Sequence, residues 1–176
     1  RQFRAAVDAS ATPIHEAAAV ITYLSPGLRF FHQGQFEGRT KRISPHLGRA
    51  PKEPVDEGLC RFYDRLLAVL SRPCVRDGEW RLLECTPAWD GNWTSDCFIV
   101  WCWQGYDGQR RLVAVNYAGN QSQCYVRLPA SGRGRVRCRD LMSSFAFERE
   151  GHDVDALGLY LDMGPWGYHV FEMSAV

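Results

Sequence analysis

Apolar positions in this chain recur with two periods, and the change falls near Arg72-Pro73. On the N-terminal side the period is helical. Thr12 can cap and Pro13 takes the favoured first helical position; Ile14, Ala17, Ala18, Ile21 and Leu24 then form one stripe. Ser25-Pro26-Gly27 stops that helix. A second stripe joins Leu59, Phe62, Tyr63, Leu66, Leu67 and Leu70, with Arg61, Asp64 and Arg65 opposite, Asp56 as N-cap and Arg72-Pro73 as terminator. Between the helices, Leu28–His32 is an apolar, aromatic run too short for a helix and reads as a buried strand. Helix, strand, long loop, helix is the rhythm of α/β units with a parallel sheet. A single strand makes no sheet, so its partners lie outside the chain or it pairs in an unusual way.

Beyond Pro73 the period becomes two. Candidate strands are Glu79–Thr86, Phe98–Gln104, Arg111–Asn116, Gln123–Leu128, Val136–Asp140, Phe145–Glu150, Gly158–Met163 and Tyr168–Met173. Turn signals such as Asp90-Gly91, Gly119-Asn120 and Gly164-Pro165 separate most of them, as in an antiparallel sandwich. Asp107-Gly108 predicts a hairpin with a type I′ turn. Trp101 and Trp103 share one face of a strand and are expected in the sandwich core. The expected fold is therefore α+β: a helix-strand-helix unit over residues 1–72, then an all-β sandwich over 73–176.

Composition narrows the function classes. Hydrophobic residues make up 45% of the 176 and aromatics 12%, enough for a sizeable core. Lys plus Arg (21) nearly balances Asp plus Glu (20), so no strong field favours nucleic acid or an anionic membrane as partner. Arg133, Arg135, Arg137 and Arg139 alternate and read as the solvated face of a strand. The seven cysteines are odd in number and include no C-x-x-C pair; reduced thiols in a cytoplasmic protein are the expectation. The five histidines are scattered without ligand spacing, so neither a metal nor another cofactor is expected. No apolar run is long enough to span a membrane. The chain opens on Arg1, and a preceding segment is expected.

Chemistry has few candidates. Gly132-Arg133-Gly134 lacks the helix and Lys of a phosphate cradle, and near the glycine-rich loop the carboxylates reduce to Glu37. The stretch from Ser25 to Arg39 passes from a turn through an aromatic run to a polar, glycine-punctuated loop, which reads as the wall of a binding cleft. Trp89 and Trp93 flank the Asp90-Gly91-Asn92 turn; exposed indoles there would form a sugar-stacking platform, or else cover the end of the sandwich.

Pro26, Gly27 and Gly34 stand in the places of the Pro-Gly-x-x-x-x-x-x-Gly pattern of an eighth barrel strand, and the segment resembles the α-amylase family of glycoside hydrolases. The continuation from Phe31 through Arg39, with Leu47-Gly48-Arg49 and Lys52-Glu53-Pro54, is similar to a bacterial branch of that family. The resemblance implies the end of a (β/α)8 barrel over 1–72, with a last barrel helix at Leu59–Leu70, followed by a C-terminal β domain. It implies α-glucan substrates and a retaining mechanism whose Asp, Glu and Asp lie upstream, so no catalytic residue is assigned here and the chain alone is expected to be inactive. The family's Tyr-Tyr-Gly is altered, with His32-Gln33 before Gly34 and Gln35-Phe36 after it. His32, Gln33 and Gln35 are thus candidates for sugar contact or for ordering the loop. The alternatives are a non-catalytic carbohydrate-binding or structural module, or part of a related transferase or isomerase. Exposed barrel-facing surface would favour a dimer.

Overall fold

The computed structural model describes residues 12–41, 46, 48, 49, 51–129 and 134–176; the opening segment and Arg133 lie outside the described residues. Both expected helices form: α1 (Thr12–Leu24) and α2 (Glu57–Leu70). Asp56 caps α2 as its composition implies, its carboxylate accepting from the Leu59 N–H at 3.0 Å. In α1 the buried face is Ala17, Ala19, Val20, Tyr23 and Leu24, rotated from the expected stripe so that Ile14 is 38% exposed. Small side chains at 17 and 19 let α1 lie close on the sheet beneath it. A short α3 (Pro73–Asp77), begun by its proline, then leads into the strands.

The strands are β1 (Glu79–Leu82), β2 (Cys85–Thr86), β3 (Phe98–Gln104), β4 (Arg110–Asn116), β5 (Ser122–Val126), β6 (Arg135–Asp140), β7 (Ala146–Glu150), β8 (Leu159–Met163) and β9 (Tyr168–Ala175). They form a six-stranded sheet in the order β1-β3-β4-β9-β6-β7 and a three-stranded sheet in the order β2-β5-β8, with every pairing antiparallel. The expected single strand Glu79–Thr86 is split, because β1 pairs with β3 in one sheet and β2 with β5 in the other. Leu83 and Glu84 carry the chain across the corner of the sandwich.

Three layers result. One core lies between the sheets, built from Val100, Cys102, Leu112, Cys124, Leu161, Phe171 and their neighbours. A second lies between the large sheet and the helices, where Leu59, Phe62, Tyr63 and Leu66 meet Trp101, Trp103, Val113 and Val170. This corrects the expectation for Trp101 and Trp103: their indoles face the helices, and the alternate residues Val100 and Cys102 fill the sandwich. Strand β3 is buried on both faces, so its sequence is apolar throughout and cannot reveal which face meets which layer. Both indole N–H groups donate to the carbonyl of Leu24 at the end of α1, at 3.0 and 2.6 Å. That carbonyl is one of those a helix terminus leaves without an internal partner.

Two further corrections concern turns. The β3–β4 hairpin is closed by Gly105 N–H to Gln109 O and Gly108 N–H to Gly105 O, with Gly108 at φ +80°. Asp107 does not take positive φ, so the turn is not type I′. Residues 28–32 do not form a strand. Leu28 is 98% and Phe30 67% exposed, and among the described residues no strand lies beside them to pair with. An apolar run becomes a strand only where a neighbouring edge takes its backbone hydrogen bonds. Helix α4 (Gly151–Leu157) was also not anticipated; Gly158, at φ +99°, ends it. At the turn before β9, Trp166 holds φ +55° after Pro165, a position usually given to glycine. Its indole packs edge-on to Tyr117 at 5.2 Å and against the helical core, which offsets the backbone cost.

Candidate functional site

The loop after α1 is anchored by a closed polar network. The Gln35 side-chain amide donates to the hydroxyls of Tyr23 and Tyr63, each at 2.7 Å, and its oxygen accepts the His32 N–H at 3.1 Å. Tyr23 passes its own proton to the Phe30 carbonyl, and Tyr63 meets His15 Nε2 at 2.9 Å. Burial pushes the His15 imidazole below its ordinary value, so a neutral ring accepts from Tyr63. Burial likewise lifts the Tyr63 phenol to about 12, against the lowering effect of the Gln35 bond. Around this network Tyr23 stacks on Phe31 at 4.2 Å, and Phe36 lies 5.0 Å from Tyr63. The loop is thus sealed onto both helices.

Glycine is required at the reversal of this loop. Gly34 has φ +81°, and a Cβ there would approach Arg39 Cδ to 2.9 Å. The tight reversal delivers Gln35 to the two tyrosines, while Arg39 N–H closes on the Gly34 carbonyl at 2.9 Å. Further along, Glu53 accepts from the N–H groups of Thr40 and Lys41, and Asp56 is the cap of α2. Both carboxylates hold backbone in place.

The sequence candidates therefore separate. Gln35 has its amide oxygen and nitrogen engaged within the protein and orders the loop. His32 is half-buried, edge-on to Phe30 at 5.1 Å, while Gln33 is exposed. Trp89 and Trp93 are 55% and 66% exposed, in the connection from β2 that packs on the smaller sheet. Loop and tryptophans belong to opposite outer layers and do not share one cleft. Asn92, in the turn between these tryptophans, is buried, its side chain tied to Thr94 and to the Ser95 N–H.

Sequence reasoning missed the pair Asp140 and His169. Asp140, in β6, is buried and accepts four hydrogen bonds. Met142 and Val170 donate backbone N–H groups to Oδ1 at 3.1 and 3.0 Å; Ser143 Oγ and His169 Nδ1 reach Oδ2 at 2.6 and 3.0 Å. Burial raises this carboxyl, but those four donors outweigh it and hold the group below its ordinary value. Strands β6 and β9 are neighbours only through the sheet order, so no local spacing announces the pair. Among the described residues, no group of three or more His, Cys, Asp or Glu converges as a metal site, and no helix is long and apolar enough to cross a membrane.

No protein-family model and no curated protein matches this chain. Solved structures do. A noncanonic maltogenic α-amylase, AmyB from Thermotoga neapolitana, superposes with a TM-score of 0.70 at 9% identity over 93% of this chain and 37% of its own. An Anoxybacillus α-amylase gives 0.66 at 12% identity, over 93% of this chain and 33% of its own. The chain has an α-amylase-like α+β fold, and it spans about a third of the length of these enzymes.

Proposed function

We propose that the chain is the C-terminal part of an α-amylase-type glycoside hydrolase acting on α-glucans, with the bond-breaking carboxylates in a barrel built by other residues of that enzyme. The observation that carries this is the exposure of Leu28 and Phe30, on a chain whose fold agrees with about a third of two amylases; in this reading the run is what remains of an eighth barrel strand. An apolar run left unpaired at the surface fits a segment whose sheet neighbours lie elsewhere in the parent. Residues 1–72 are then the end of the barrel, and 73–176 its C-terminal sandwich. Retaining hydrolysis needs two carboxyl groups about 5–5.5 Å apart. In the loop, Glu53 and Asp56 hold backbone instead. The enzyme is cytoplasmic in this reading. In isolation the chain dimerises through Leu28 and Phe30.

The test is hydrolysis of soluble starch and of a chromogenic maltoside. The 176-residue chain turns over neither, and a longer polypeptide carrying it turns over at least one. Turnover by the chain alone, persisting after Glu37→Gln, overturns the proposal. The exposed Trp89 and Trp93 favour a second reading, a module that holds glucan without cleaving it. Retardation in a starch gel that is lost in the Trp89→Ala/Trp93→Ala double variant would support that reading.

A further inference from the structure

The sandwich is open along one side. Among the described residues, β8 ends the smaller sheet and pairs with β5 alone, and β7 ends the larger sheet and pairs with β6 alone. Between these edges lies a cavity of about 190 Å³, remote in the fold from the Gln35 network and outside the Trp89–Trp93 turn. Its floor is aromatic: Phe145, Phe147, His169 and Phe171 line it, with His169 stacked on Phe171 at 4.9 Å and Phe145 5.5 Å from His169. Phe145 is 49% exposed, an open apolar face at the mouth.

The polar groups around this floor are placed, not incidental. Asp140 takes the His169 Nδ1 at 3.0 Å, which fixes the ring and leaves Nε2 as the nitrogen that can meet a ligand. Arg149 lies over the Phe147 ring at 4.8 Å and is held by its bond to the Glu148 carbonyl. Asp162 also lines the cavity, and its Oδ1 accepts from Gln121 and Gln123 on the exposed face of the smaller sheet. The free edge of β8 adds backbone N–H and C=O groups.

We propose that this cavity is a binding site for one pyranose unit of a neutral saccharide, separate from any cleavage site. Three features select that ligand. The volume lies below the 300–1,000 Å³ usual for drug-sized ligands and suits a single ring. One cation and one anion line it, so a neutral ligand leaves neither unbalanced. An aromatic floor with hydrogen-bonding groups at its rim matches a sugar ring, whose C–H face is apolar and whose edge carries hydroxyls. The proposal rests on the α-glucan reading only for the choice of maltose and maltotriose as first probes.

The test is NMR titration of the chain with maltose, maltotriose, cellobiose and benzyl alcohol. Saturable shifts are expected at the His169 ring and the Phe145 and Phe147 side chains. Phe145→Ala and Asp162→Ala each weaken binding about tenfold in a chain that still unfolds cooperatively, whereas Trp89→Ala leaves binding unaltered. Because Phe145 is half-exposed, its variant is expected to fold. Binding of cellobiose but not of maltose or maltotriose supports the site and shows that its specificity differs from the α-glucan probes. Absence of saturable shifts with all three sugars, shifts confined to Trp89 and Trp93, or binding of benzyl alcohol alone overturns the proposal, while the starch assay still decides the α-glucan reading.

Discussion

Asp140 is the residue whose removal the structure weighs most closely. In Asp140→Ala all four donors lose their acceptor. Ser143 is exposed and His169 is 27% exposed, so both can turn to water. The Met142 and Val170 N–H groups cannot, since those residues are 5% and 0% exposed. A buried donor left unsatisfied costs about 1–3 kcal/mol, so two place the loss near ~4 kcal/mol. Asp140→Asn keeps the oxygen facing both backbone groups. Its amide nitrogen then stands opposite Ser143 Oγ, which can accept, and His169 Nδ1, which must change tautomer, so a loss of about 1–2 kcal/mol is expected. Urea unfolding measures both: with an m-value of about 1–3 kcal/mol per molar, the alanine variant moves the midpoint by more than about 1 M. The acid limb supplies a second check. The depressed carboxyl stabilises the fold above the ordinary carboxylate range, and that contribution is lost as pH falls through its lowered value. The gap between wild type and Asp140→Asn therefore narrows in acid. An alanine variant within about 1 kcal/mol of wild type, or an asparagine variant as unstable as the alanine one, refutes the reasoning.

Other perturbations probe other layers. Arg111 has a side chain only 1% exposed, and Glu172 Oε1 meets it at 2.7 Å, so Glu172→Ala is expected to cost about 3–5 kcal/mol by urea unfolding. Glu172 itself is driven up by burial but held lower overall by Arg139, Arg111 and Arg72, so its stabilisation also fades as pH falls through the depressed value. Trp103→Phe removes one of two indole bonds to the Leu24 carbonyl and leaves a small void; a loss of about 2 kcal/mol should lower the melting temperature by roughly 4–8 °C in differential scanning fluorimetry. Among the thiols, Cys85 is lowered by its bond from Cys124, whereas burial raises Cys102 and Cys138. Brief alkylation at pH 8, read by peptide mass spectrometry, should therefore label Cys85 before those two.

The sequence by itself determined the elements whose signals are local. The Asp56 cap and the apolar stripe placed α2, acting within one or two turns, and Ser25-Pro26-Gly27 marked the end of α1, although its cap and buried face were not read correctly. Alternation and turn residues placed most strands, and Arg135, Arg137 and Arg139 emerged on a solvated face, where Arg135 meets Glu148 and Glu150. What the tertiary structure alone decided is everything set by a second element. Leu28–His32 has strand composition but no adjacent edge among the described residues, and it stays irregular. Trp101 and Trp103 face the helices because β3 is covered on both sides, and an all-apolar strand carries no record of which face is which. Gln35 orders a loop because two tyrosines, from α1 and α2, converge on it. Asp140 and His169 become partners only because β6 and β9 are neighbours in the sheet. Pairing across distant segments is fixed by packing and backbone hydrogen bonding among whole elements, and no spacing along the chain encodes it.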